Sequence, residues 1–173
     1  MKKAREVAFL GIVTALSVVF LFIGSLPFLD VLDLTMTMVA SLLLLIANEE
    51  LKLKSLMAYF ATSILIMVIA PFSLAGVEYI ALALYPILKP IFEKAPSVLS
   101  YIIKGVYVLL VSTGLALIMY FFVDGLATQP LMIVLYVLVM VLVLVLYDVL
   151  LKKFKLYYQY KLRHILRLDK FFK

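Results

Sequence analysis

Long uncharged apolar runs alternate with short polar clusters along this chain, and several of the runs exceed what a soluble domain uses. From Val7 to Leu29 no charge interrupts the sequence, and a helix of that length crosses the roughly 30 Å hydrocarbon core of a bilayer. Leu34 to Ala47 predicts a second, shorter segment, and the polar stretch Asn48 to Lys54 a hairpin. Ser55 to about Ala70 predicts a third segment, closed by Pro71, whose missing amide donor makes helix continuation costly. Phe72 to Gly76 then reads as a turn. Gly105 to Val123 and Leu131 to Leu151 are the clearest later segments, separated by the turn-forming run Asp124 to Pro130.

The fourth segment is the short one. Between Glu78 and Lys89 lie ten uncharged residues, about 15 Å of helix, and Pro86 interrupts them. Parity favours a crossing from about Val77 to Phe92, with Lys89 snorkelling at the inner interface. With that crossing, all sixteen lysines and arginines fall on one side and the other side receives Asp30, Asp33, Glu78 and Asp124. Such asymmetry is the positive-inside pattern. The expectation is therefore an all-α polytopic membrane protein with six transmembrane helices over residues 1–151, both termini cytoplasmic, followed by a basic tail over 152–173. No tandem or inverted repeat suggests a duplicated transporter.

Composition excludes the soluble classes. The chain is 67% hydrophobic and 15% charged, against roughly half and a quarter in a soluble domain, with a mean hydropathy of +1.22. The net charge of +6 belongs to loops and tail beside apolar spans, which points to anionic lipid headgroups of the bilayer and not to nucleic acid. With no cysteine, thiolate metal sites and a cysteine nucleophile are excluded. The Met1 to Arg5 start resembles a secretory signal, but the apolar run is too long for a signal core and lacks a clear small-x-small cleavage site, so an uncleaved helix is expected. In the tail, Phe154, Tyr158, Leu162, Ile165 and Phe172 recur at roughly helical spacing among Lys153, Lys155, Lys161, Arg163, Arg167 and Lys170. This pattern fits either an interfacial amphipathic helix or a continuation of the last membrane helix.

Catalytic signatures are missing. There is no G-x-x-x-x-G-K-[ST] phosphate loop and no G-x-S-x-G elbow, and His164 is the single histidine. Neither an enzyme, a metal centre nor a cofactor site is expected. Lys104, about 10 Å inside its helix by rise, and Asp148 are expected to approach each other, because an unpaired charge at that depth costs several kcal/mol.

Two patterns carry candidate function. Ala4, Ala8, Gly11 and Ala15 recur every three or four residues and form a face of small side chains near the cytoplasmic end of the first helix. Such a face admits a closely packed helix, either from the same bundle or from a partner. Polar and aromatic residues gather in the outer half: Asp30, Asp33, Thr35 and Thr37 at the second helix, Ser73, Glu78 and Tyr79 at the fourth with Tyr85 deeper, and Tyr120, Asp124 and Gln129 at the last outer turn. Asp30, Asp33, Thr37, Glu78, Tyr79, Tyr85 and Tyr120 are the candidate ligand contacts, polar anchors in an apolar-walled cavity. The alternative is the interfacial polarity that any membrane protein carries.

Six helices in so short a chain, both ends inside, the Ala8, Gly11 and Ala15 stripe and the absence of an energy-transducing motif resemble the substrate-binding S component of energy-coupling factor transporters. The resemblance implies an S-component-like bundle in the bacterial cytoplasmic membrane. It also implies a membrane coupling subunit docked on the stripe, two separate ATPase subunits, and a vitamin or other micronutrient as ligand; an aromatic, apolar pocket suits a flat ring such as riboflavin's. Ala58 to Ser63, with Tyr85-Pro86-Ile87-Leu88-Lys89, also resembles small bacterial membrane proteins of unestablished function. Two other readings compete: a non-catalytic scaffold of a cell-envelope complex, similar to the membrane subunit of the rod-shape machinery, and an autonomous carrier using Asp30, Asp33 or Glu78 as a proton site.

Overall fold

The computed structural model describes residues 2–26, 32–71, 73–122 and 130–165, which are almost entirely helical, with no strand among them. Among them, five helical stretches are long and apolar enough to cross a membrane: Lys3–Gly24, Asp33–Ile69, Leu74–Phe92, Ser97–Ile118 and Ile133–Ile165. Two compact units divide the chain, one of residues 1–89 with 151–173 and one of residues 90–150.

In the first unit α1 (Lys2–Gly24) packs on α2 (Asp33–Leu51) and α3 (Ser55–Ile69). The buried face of α1 is Leu10, Val13, Thr14, Ser17 and Leu21, the three-and-four spacing of one helix side. Ser17 Oγ donates to the Ala40 carbonyl at 3.4 Å. At Gly24, a Cβ would come 3.0 Å from Met36 Cβ and 3.5 Å from Asp33 Cα. Close approach of the two backbones therefore requires glycine there.

α2 is longer than its apolar run predicts, because Asn48, Glu49 and Glu50 stay helical and the chain reverses only in the 3-10 turn Lys52–Lys54. Lys52 adopts φ +52, the one non-glycine residue with positive φ among the described residues. That reversal makes two antiparallel legs of Asp33–Ile69. Ser55 Oγ reaches Asn48 Oδ1 at 3.3 Å, whereas seven residues along a straight helix span about 10 Å.

The fourth segment is broken. α4 (Leu74–Leu82) and α5 (Leu84–Phe92) meet at Ala83. Instead of lying within the outer turn, Leu74 already opens α4, capped by Ser73, whose Oγ accepts from the Gly76 amide at 3.2 Å. Pro86 falls in the first turn of α5, where its missing donor costs no internal bond. Pro90 lies further in, and without an N–H it leaves the Pro86 carbonyl, four residues back, with no helical donor. Asn48 Nδ2 takes that place from α2 at 3.1 Å. Likewise the Tyr59 hydroxyl of α3 donates to the Ile80 carbonyl at 2.8 Å. Backbone that must be satisfied inside the protein when water is absent is thus satisfied by two neighbouring helices.

Lys89 does not snorkel. It is 6% exposed, with Nζ 5.9 Å from the centre of the Tyr85 ring, a distance at which ring and cation attract.

The tail also belongs to this unit. α7 (Pro130–Tyr157) runs on past Leu151, then gives way to a π-helical turn, Tyr158–Leu162, and a last turn Arg163–Ile165, labelled α8. Lys155 Nζ meets Glu49 at 2.6 Å and Arg163 Nε meets Glu50 at 3.0 Å. Tyr158 Oη donates to Glu50 at 2.7 Å and Gln159 Nε2 to Glu49 at 2.8 Å. Two cations expected to face lipid headgroups therefore hold the carboxylates at the end of α2. Those carboxylates sit at a helix C-terminus, where the helix dipole alone disfavours them. Arg167, Lys170 and Phe172 lie outside the described residues.

In the second unit α6 (Ser97–Phe122) begins well before the expected Gly105. Lys104 lies 3.9 Å from Asp148, the expected approach, and closer still, 3.1 Å, to Glu93. α6 and α7 expose Leu109, Leu110, Leu117, Leu138 and Leu142, apolar surface suited to lipid.

Candidate functional site

Buried polar residues of the first unit occur on α1, α2, α3 and α4. On α4 the spacing Ala75, Glu78, Tyr79, Leu82 places all four on one buried face. The Ser73 cap sets where that face begins. A Cβ at Gly76 would lie 3.0 Å from Ser73 Oγ and 3.5 Å from Ile66, so glycine keeps the cap and the α3 contact close.

Thr37 Oγ1 donates to the Ala75 carbonyl at 3.4 Å, which makes α2 and α4 level at that point. Counting rise from there, Asp33 lies about 6 Å toward the start of α2 and Glu78 about 4.5 Å the other way. Asp33 is 7% and Glu78 3% exposed, and the charge of Asp33 acts on Glu78. Two carboxylates thus stand at successive depths along one flank.

Tyr79 is fully buried. Its ring stacks on Tyr59 with centroids 6.2 Å apart and planes at 25°. Its hydroxyl lies within hydrogen-bonding range of those of Thr62 on α3 and Ser17 on α1. Glu78 Oε2 is buried and makes no hydrogen bond among the described residues. Leaving a buried polar group unpartnered costs about 1–3 kcal/mol.

The structure brings Asp33, Thr37, Glu78 and Tyr79 into one region. Tyr85, six residues beyond Tyr79 and about 9 Å further by helix rise, is 3% exposed and packs against Lys89 instead. Tyr120 lies on α6 in the second unit, 37% exposed. Asp30, Asp124 and Gln129 fall outside the described residues. Sequence reasoning missed Ser17, Tyr59 and Thr62 as the neighbours of Tyr79. Ser17 was legible as the polar member of the Leu10, Val13, Ser17, Leu21 face, and Thr62 as a hydroxyl nearly one turn after Tyr59.

Ala4, Ala8, Gly11 and Ala15 are all exposed, and a Cβ at Gly11 would have nothing within 4 Å. At roughly 100° per residue the stripe lies about 130° around α1 from its buried face. Internal packing uses Ser17, Leu21 and Gly24 instead. Among the described residues no group of three or more His, Cys, Asp or Glu is placed to hold a metal ion. No protein-family model, no curated protein and no solved structure matches the chain.

Proposed function

We propose that this chain is a membrane-embedded binding subunit that captures a small nutrient from the external face and passes it inward with separate coupling and ATPase subunits, in the manner of an energy-coupling factor S component. The observation that carries the reading is Glu78, a buried acid whose Oε2 makes no hydrogen bond among the described residues and which lies within electrostatic range of Asp33 on α2. The outward-facing stripe on α1 supports a partner at that surface.

Six crossings with both ends cytoplasmic belong to the same proposal. Lys54 pairs with Glu6 at 2.6 Å and Lys155 with Glu49. These contacts gather the start of α1, the α2–α3 turn and the tail at one end, which supports an even number of crossings. The cation asymmetry supports the cytoplasm as that side.

Native mass spectrometry of the purified chain tests the reading. The expected result is a retained small molecule, lost on Glu78→Ala, with no concentrative uptake by vesicles that hold this chain alone. Protein free of ligand and indifferent to nutrient mixtures would overturn it. One observation favours a second reading, the proton-coupled carrier: Asp33 and Glu78 at successive depths resemble a relay for charge. Proton-driven uptake in vesicles containing only this chain would establish the carrier.

A further inference from the structure

We infer that the tail lies on the inner surface of the bilayer and takes anionic phospholipid headgroups along its outward face, through Lys153 and Lys161 set among Leu156, Tyr157 and Tyr160. The inference rests on the membrane embedding and orientation proposed above and not on the nutrient.

The tail has two faces. Leu151, Lys155, Tyr158, Leu162 and Arg163 recur at helical spacing and turn toward the first unit. Leu151 and Tyr158 are 1% exposed and Leu162 packs against the core, while Lys155 and Arg163 hold Glu49 and Glu50. Tyr158 and Leu162, which the sequence pattern offered to lipid, are therefore used inside the protein. The other face carries Lys153, Leu156, Tyr157, Tyr160 and Lys161, all exposed. Tyr160 is 80% exposed, and Lys161 Nζ lies 5.9 Å from the centre of the Tyr157 ring.

The ion pairs also fix the depth of the tail. Lys155 and Arg163 meet the last turn of α2, so the segment between them stands level with the end of that helix. α2 runs 19 residues, about 28 Å, close to the roughly 30 Å of bilayer hydrocarbon, and Lys52 and Lys54 follow it directly. The tail is thus held where hydrocarbon gives way to headgroups. At that depth tyrosine finds its favoured surroundings, apolar on one side and wet on the other, and lysine ammonium groups meet lipid phosphates. Lipid suits this face better than a protein partner does. Lysine is depleted at the cores of protein interfaces, whereas apolar and aromatic residues set among lysines are the composition of helices that lie in the membrane surface.

The chain has no tryptophan, so Tyr160→Trp places a single reporter on this face at a position exposed enough to accept it. The variant chain is reconstituted in vesicles of phosphatidylcholine and phosphatidylglycerol in which one lipid or the other carries brominated acyl chains, which quench tryptophan on contact. Bromine on phosphatidylglycerol is expected to quench about twofold more per molecule than bromine on phosphatidylcholine, and Lys153→Gln with Lys161→Gln should abolish that preference. Leu156→Trp is a second reporter with the same expectation. Equal quenching per molecule by the two lipids overturns the anionic assignment. Absence of quenching by either means that the tail stands away from the bilayer, its face left to a second copy or another protein, and overturns the inference outright. A preference that survives in the double lysine variant overturns the role of the lysines. Carbonate-resistant flotation with the vesicles tests the embedding by itself, so failure of that reading is told apart from failure of the tail to bind lipid.

Discussion

Asn48 ties two parts of the first unit together. It donates to Pro86 and accepts from Ser55, so one amide joins α2 to α5 and closes the α2–α3 turn. Asn48→Leu leaves the Pro86 carbonyl and the Ser55 hydroxyl buried and unserved, and should cost about 2–4 kcal/mol. Thermal unfolding in detergent reads that loss. Pro90→Ala restores an amide to the Pro86 carbonyl from within α5, so the double variant should recover part of it. Strict additivity would show that Asn48 does not replace the donor that Pro90 lacks. The sequence advertised Pro86 as the interruption, and the second proline proved to matter as much. Prolines are visible in a sequence; the side chain that compensates, 38 residues away, is set by packing.

At the scale of elements, the tail and the α2–α3 hairpin are one unit of structure. Lys155, Tyr158, Gln159 and Arg163 converge on two adjacent glutamates. Glu50 is the better buried, its side chain 6% exposed against 43% for Arg163, so its loss should be felt more than that of a surface ion pair. Glu50→Gln should speed amide exchange across residues 155–165 about tenfold and leave α1 unaffected. Exchange unchanged in the tail would mean that apolar packing of Tyr158 holds it alone. In the second unit, Lys104→Met should destabilise by about 1–3 kcal/mol, and adding Asp148→Asn should return part of that. Full recovery is not expected, since Glu93, 3.1 Å away, keeps its charge. The Lys104 to Asp148 approach was legible because depth in a helix can be counted. Glu93, and the pairing of Glu49 and Glu50 at the end of α2 with the tail, were not, because each of these acids sits where the pattern reads as loop, and loop charges have no depth from which to argue.

For the whole molecule, the apolar runs gave the helices and the charges gave the proposed orientation. Boundaries shifted wherever polar residues remained helical, as at Asn48 to Glu50 and from Ser97 to Lys104. The candidate site was legible as a gathering of acids and tyrosines, but not which of them the packing brings together. Asp33 and Glu78 belong together through the register that Thr37 sets with Ala75, a relation between helices that no single run contains. Because the chain has no cysteine, accessibility can be tested one position at a time. Lys94→Cys should react with an impermeant maleimide only after the membrane is opened, and Gln129→Cys in intact cells. Reaction at position 94 in intact cells would overturn the six-crossing topology.

The broken helix also constrains how this protein can change over generations. Removing Asn48 while Pro90 stays strands a carbonyl, whereas replacing Pro90 first repairs the helix and frees the asparagine to drift. Substitution is therefore easy in one order and obstructed in the other, so descendants lacking the asparagine should almost always lack the proline as well, while the reverse combination should be common.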